Sequence, residues 1–221
     1  MQRAVGATIT KVLALGPETL LLRAESESFD GAVVLSAHPT LYRAHLSSRR
    51  GGKSEESSFS AAVRSRISGG KIVQVATHGF DRILLIAVDA GEGIYTIAGH
   101  FTGSQTNLYL IDPRGVVAAS ARRAGKIALR QEYNPSPPSA DSLEAALRTR
   151  SGLSAFVLQQ LDNLGVDAVL EKLKSGPPVL VPGVGAYPFQ PHGVPNGIPF
   201  GTTSDAVEQH AAAVAPKLAL E

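Results

Sequence analysis

The 221-residue sequence contains no cysteine. That absence excludes disulfides and thiolate-ligated metal centres such as zinc fingers. No apolar, uncharged run reaches the roughly eighteen residues that a membrane-spanning helix needs. The first residues, MQRAVGATITKV, lack the charged-then-apolar form of a signal peptide. These absences together point to a cytoplasmic protein with no membrane partner. The histidines, His38, His45, His78, His100, His192 and His210, stand in no close spacing with carboxylates such as HExxH. No metal site and no cofactor is therefore expected. GxSxG elbows and internal repeats are also missing, and no catalytic residue is assigned. A non-enzymatic role is the expectation.

What is present is an uneven charge distribution over a pattern of short strands. Residues 1–150 carry 18 Lys/Arg against 13 Asp/Glu, and residues 151–221 carry 3 against 6. The basic excess of the first part favours an anionic partner there. Apolar, β-branched runs at Gly6–Ala14, Thr19–Ala24, Ala32–Ala37 and Tyr42–Leu46 read as strands. A polar loop from Ser47 to Ser58, carrying Arg49, Arg50 and Lys53, separates them from a helix at Ser58–Ser68. Phe59, Ala62, Val63 and Ile67 form the apolar stripe of that helix, and Gly69-Gly70 stops it.

Strands then follow at Lys71–Thr77, Arg82–Val88, Ile94–Ala98, Asn107–Ile111 and Val116–Ala121. The turn at Asp112-Pro113-Arg114-Gly115 joins the last two. Many short strands with turn signals between them predict an antiparallel sandwich or barrel. A linker at Asn134–Pro138 leads to helices that Asp141, Ser154 and Asp167 are placed to cap. The Ser151–Ser154 turn, at a helix start, reads as a helical hairpin ahead of an anion site. Residues 176–201, rich in Gly and Pro, are expected to be irregular, and a last helix begins near Ser204, interrupted by Pro216. The join Gly79-Phe80-Asp81-Arg82 sets an acid and a base side by side between two strands, which the fold itself does not require. By itself the pair reads as a turn acid beside its cation. An arginine fork there also suits a phosphate.

Several of these pieces, in this order, resemble the N-terminal region of the NFACT proteins, which include fibronectin-binding-protein-A-like proteins, ribosome-associated quality-control factors and nuclear export mediator factor. The resemblance rests on Phe59 with Arg64, Gly69-Gly70-Lys71-Ile72, and Gly79-Phe80-Asp81-Arg82-Ile83. Leu35-Ser36-Ala37-His38-Pro39, followed by Arg43 and His45-Leu46, is similar to the family's "LSAxPxxxRxHL". Thr102–Leu108 with Leu110-Ile111-Asp112 is similar to "MGRHSNIILVD", although Ser104 and Gln105 replace its Arg and His and His100 replaces a preceding acid. Tyr133-Asn134-Pro135 echoes its linker, and Gly152-Leu153-Ser154 resembles the start of its helix-hairpin-helix unit.

The resemblance implies an α+β fold. Its antiparallel β sandwich or barrel would be related to the N-terminal domain of formamidopyrimidine-DNA glycosylases, without their catalysis, and a small helix-hairpin-helix unit would follow. The expected division is a β domain at 1–133, a Pro-rich linker at 134–138, the hairpin unit at 139–175, and an irregular segment with a terminal helix at 176–221. The family's leading helix, coiled coil and later RNA-binding domain are expected to be missing, as in an N-terminal fragment or a reduced relative.

By the same resemblance, the chain is an RNA-binding module of a quality-control factor. It would bind tRNA, the large ribosomal subunit carrying peptidyl-tRNA, or both, and support template-free tailing of the nascent chain. The implied contacts are Asp81 and Arg82, with Gly103, Asn107 and Arg64 from the matching loop and helix. Rival expectations are a degenerate structural relative that has lost tRNA binding, a glycosylase-like repair enzyme and a fibronectin-binding adhesin. Gln2 stands where a glycosylase has its nucleophilic proline, and no signal peptide supports an adhesin.

Overall fold

The computed structural model describes residues 1–51, 55–102, 105–123 and 127–218. The chain forms two compact units. One comprises Met1–His78 and Arg82–Ser136; the other comprises Gly79–Asp81 and the chain from Pro137 on. The architecture is α+β, with a large antiparallel sheet and five α-helices.

In the first unit the apolar runs become β1 (Thr8–Gly16), β2 (Thr19–Glu25), β3 (Asp30–Ser36) and β4 (Arg43–Ser47). Beyond helix α1 (Ser58–Ile67) come β5 (Lys71–Thr77), β6 (Ile83–Asp89), β7 (Ile94–His100), β8 (Asn107–Ile111) and β9 (Val117–Ser120). They make one nine-stranded sheet in the order β4-β3-β2-β1-β5-β6-β7-β8-β9. Only β1 and β5, on either side of α1 in the chain, pair out of sequence, and they share the single register pair Thr8↔Lys71. Bulges between Ile9 and Lys11 and between Ile72 and Gln74 flank that seam. Bulges sharpen twist and bend a sheet.

The bend lets both halves share one core. Val12, Leu22 and Leu35 from one half cluster with Ile86, Ile97 and Leu110 from the other. Phe59, Val63 and Ile67 of α1 join the same cluster. The end strand β9 also reaches the first half of the sheet: Arg122, just past it, pairs through Nε with Glu18 Oε1 of the β1–β2 turn, 3.1 Å. The strands anticipated as a sandwich or barrel thus belong to one continuous sheet, curled around α1. Strand periodicity reports which face is buried, not whether the faces belong to one sheet or two, so the pattern alone does not distinguish these forms.

Ser57 caps α1. Its Oγ accepts from Ser60 N, while Ser60 Oγ accepts from Ser57 N. The reciprocal pair satisfies two of the free amides of the first turn. At the other end, a Cβ on Gly70 would lie 2.7 Å from Val88 Cγ1 and 2.9 Å from Asp89 O. Gly70→Ala is therefore expected to cost about 2 kcal/mol through overpacking, read as a lower urea midpoint.

The second unit holds α2 (Leu143–Thr149), α3 (Ala155–Leu164), α4 (Val166–Ser175) and α5 (Thr203–Leu218). Leu147, Leu161, Val169 and Phe189 make its core. Ser154 caps α3 through Val157 N, as its position predicts. Ser142, rather than Asp141, caps α2 through Ala145 N. Asp167 lies inside the first turn of α4, which has no side-chain cap; an acid there still faces the positive end of the helix dipole. Residues 176–201 are not irregular throughout. They carry β10 (Val179–Val181), β11 (Gly185–Tyr187) and β12 (Ile198–Pro199), paired in the order β11-β10-β12. α5 packs against β10 and β11, and its backbone stays helical through Pro216. Short strands among Gly and Pro lack the alternation that marks longer ones, so composition conceals them.

Candidate nucleic-acid interface

The β5–β6 hairpin carries the Asp81-Arg82 join. Its last ladder pair is Thr77↔Leu84, beyond which His78 N donates to Ile83 O, 3.1 Å. The tip Gly79–Asp81 is counted with the second unit and is held there tightly. Gly79 has φ +55°, and a Cβ on it would lie 2.5 Å from Pro138 Cβ. Phe80 N donates to Ala140 O, 2.7 Å. Ser139 Oγ donates to Asp81 Oδ1, 2.9 Å. The Asp81 carboxylate therefore fastens the tip to Ser139. Asp81 makes no ion pair with Arg82 among the described residues.

Arg82 is fixed only through its backbone, whose carbonyl accepts from Phe101 N at 2.8 Å. Its side chain is exposed, and its guanidinium makes no hydrogen bond or ion pair among the described residues. A fixed backbone with a free fork is what gripping a phosphate requires.

The other anticipated contacts fare differently. Asn107 is fully buried. Its Oδ1 accepts from Leu108 N and Arg122 N, each 2.9 Å, and its Nδ2 donates to Arg122 O, 3.0 Å. Its amide has no face left for RNA, which corrects the expected contact. Arg64 is half engaged. Its Nε donates to Val12 O, 3.2 Å, and its Nη1 meets Glu56 Oε1, 2.6 Å, tying α1 to β1. It is a brace rather than a free cation. Gly103 lies outside the described residues, as do Ser104 and Lys53. Arg50 pairs with Asp30, 3.1 Å.

His100 and Tyr133 join the end of β7 to the segment before the linker by a 2.8 Å hydrogen bond. Burial raises the Tyr133 phenol above its ordinary range, so it stays protonated. His45, in the segment that resembles "LSAxPxxxRxHL", is buried on β4 opposite Val34. Burial, with Arg43 and Arg49 nearby, pushes its pKa down to about 4. It is a neutral scaffold residue. The second unit contains an apolar cavity of about 320 Å³, lined by Phe80, Leu147, Phe156 and Tyr187 among others. No ionisable cation lines it, so it offers no phosphate site. Among the described residues no cluster has the makings of a metal site, and no helix is long and apolar enough to cross a membrane.

A family model described as NFACT N-terminal and middle domains matches residues 1–170. The chain belongs to this family. A comparison with curated proteins found no match. Among solved structures, the N-terminal part of the fibronectin/fibrinogen-binding protein of Streptococcus suis is similar, with a TM-score of 0.79 at 17% identity, covering 96% of this chain and 94% of that one. The fibrinogen-binding protein of Staphylococcus aureus gives 0.74 at 15% identity, covering 94% and 93%. The N-terminal domain of a Streptococcus pneumoniae fibronectin-binding protein gives 0.58 at 20% identity, covering 96% and 93%. At these identities the likeness is one of fold.

In this NFACT chain, the Gly79–Arg82 join exposes an arginine whose guanidinium has no partner among the described residues. The glycine-bearing loop contributes a buried asparagine instead of a contact. Sequence reasoning missed Arg122 and Arg123, just past β9. Arg122 Nη1 donates to Thr106 O, 2.9 Å, and its Nε meets Glu18. Arg123 is exposed and has no partner among the described residues. Two consecutive arginines after a strand were the available signal, but only strand order shows which end of the sheet they share.

Proposed function

We propose that the chain is a non-enzymatic RNA-binding module of a ribosome-associated quality-control factor. It binds tRNA, or the large ribosomal subunit carrying peptidyl-tRNA, and supports template-free tailing in the cytoplasm. Family membership supports the setting. The observation that carries the reading is Arg82, exposed, without a side-chain partner among the described residues, and held by its backbone to Phe101 just past β7. In this reading the curled sheet is the counterpart of the N-terminal domain of formamidopyrimidine-DNA glycosylases, with α3 and α4 as a helix-hairpin-helix unit. No catalytic step is assigned to either.

Phosphate contacts position a protein on RNA with little sequence preference and make its affinity fall with salt. Arg82→Ala is expected to weaken binding to bulk tRNA about five-fold and to flatten the salt dependence by about one phosphate contact. Equal affinity and equal slope for wild type and variant would overturn the reading. Fibronectin belongs in the same assay, since similar structures are named for binding it. Saturable fibronectin binding without tRNA binding would move the function to that partner class.

A further inference from the structure

We propose that Arg123 is a second phosphate-binding cation, and that Arg82 and Arg123 together grip one RNA backbone along the end of the sheet. This inference rests on the RNA-binding reading and assigns it a second contact.

The strand order brings the two residues to the same end. β6, β7, β8 and β9 are neighbours and alternate in direction. Arg82 immediately precedes β6, and Arg123 stands three residues past the end of β9. The two therefore emerge from one rim of the sheet, with β7 and β8 between them. Three strand spacings separate them, about 14 Å along the sheet. Phosphates a few nucleotides apart on one strand span such a distance.

Charge is polarised along these strands. On the rim carrying Arg82, Arg122 and Arg123, the acid Glu18 is paired with Arg122. The opposite rim carries the acids Asp89, Glu92, Asp112 and Glu132 against Lys71, Arg130 and Arg114, and Arg114 is tied to Asp112 at 2.8 Å. A surface of this kind draws an anion toward one rim and away from the other.

Arg123 is also held where it can act. Asn107 grips both the amide and the carbonyl of Arg122, and the Arg122 side chain is tied to Thr106 and Glu18. The buried asparagine, no RNA contact itself, is thus a positioning residue for the cation that follows Arg122. Arg123 spends its own charge on no described neighbour, whereas Arg122 does.

The test is a salt series of bulk tRNA binding by the full chain, comparing wild type, Arg82→Ala, Arg123→Ala, the double variant and Arg114→Ala. Thermal melts by circular dichroism check that each is folded. Arg123→Ala is expected to weaken binding about three- to ten-fold and to reduce the slope of log K against log salt by about 0.7–0.9. The double variant loses about twice that slope, and Arg114→Ala matches wild type. Weak binding by Arg82→Ala with wild-type binding by Arg123→Ala overturns this inference and leaves the RNA-binding reading standing. Equal losses for Arg123→Ala and Arg114→Ala reduce the effect to net charge and also overturn it. Wild-type behaviour of both Arg82→Ala and Arg123→Ala, or no binding by wild type, overturns both readings together.

Discussion

Asn107→Ala is expected to destabilise the first unit by about 3–5 kcal/mol, although the side chain carries no charge. The magnitude follows from what the amide does. It serves Leu108 N, Arg122 N and Arg122 O, within 3.0 Å of each. Truncation orphans the amides of Leu108 and Arg122, while Arg122 O keeps Ser120 Oγ at 3.2 Å, and each orphaned backbone group costs about 1–3 kcal/mol. The asparagine acts as a ladder rung, carrying the hydrogen bonding of β8 on to residue 122 after β9 has ended. Urea unfolding followed by circular dichroism measures the loss. Hydrogen exchange gives the local signature, faster exchange at the amides of Leu108 and Arg122. A loss below about 1 kcal/mol would mean that water replaces the side chain, and Asn107 would cease to be the anchor of Arg122. Arg122→Ala, which removes the links to Glu18 and Thr106 but leaves the backbone grip intact, is expected to cost less.

Much of the first unit was legible because its strands are long enough to show their pattern. Lys71–Thr77 and Asn107–Ile111 coincide with the runs read from sequence, and the stripe Phe59, Val63, Ile67 marks the buried face of α1. The curl of the sheet was not legible. It depends on the bulges beside the β1–β5 seam, and a bulge is one extra residue that leaves no compositional trace. The small sheet of the second unit stayed hidden because two- and three-residue strands are too short to alternate.

The site was legible in part for a related reason. A turn such as Gly79–Arg82 is local, so its residue types announce it. What its groups touch is settled by distant chain: Ser139 for the Asp81 carboxylate, and Phe101 N for the Arg82 carbonyl. Asn107 and Arg64 have polar side chains suited to RNA, and residue type gives no sign that one is walled in by Arg122 and the other claimed by Glu56. Arg123 went unnoticed because sharing a rim with Arg82 is a property of strand order alone.

Acidification is expected to remove about 3 kcal/mol of stability through His45 before most carboxylates titrate. The imidazole is buried, its Nδ1 has no hydrogen-bond partner among the described residues, and its pKa is pushed from 6.5 down to about 4. Burial is the larger cause, with repulsion from Arg43 and Arg49 added. Between these two values the unfolded chain binds a proton that the folded chain refuses. The contribution is therefore fully present above about pH 6.5 and is lost as pH falls toward 4. The carboxylates act in a lower window. Asp30 is held below its ordinary value by the hydrogen bond from Arg23. Asp112, against the upward push of burial, is held down by Val116 N and by Arg114. Their contributions fade as pH falls below about 4, so the two sources separate on the pH axis. Urea midpoints from pH 7 to pH 4 should fall for wild type and stay nearly level for His45→Leu over that range. Nuclear magnetic resonance of the His45 ring supplies the direct value: titration near 6.5 in the folded protein would remove the effect and with it the claim that this motif histidine is a neutral part of the scaffold.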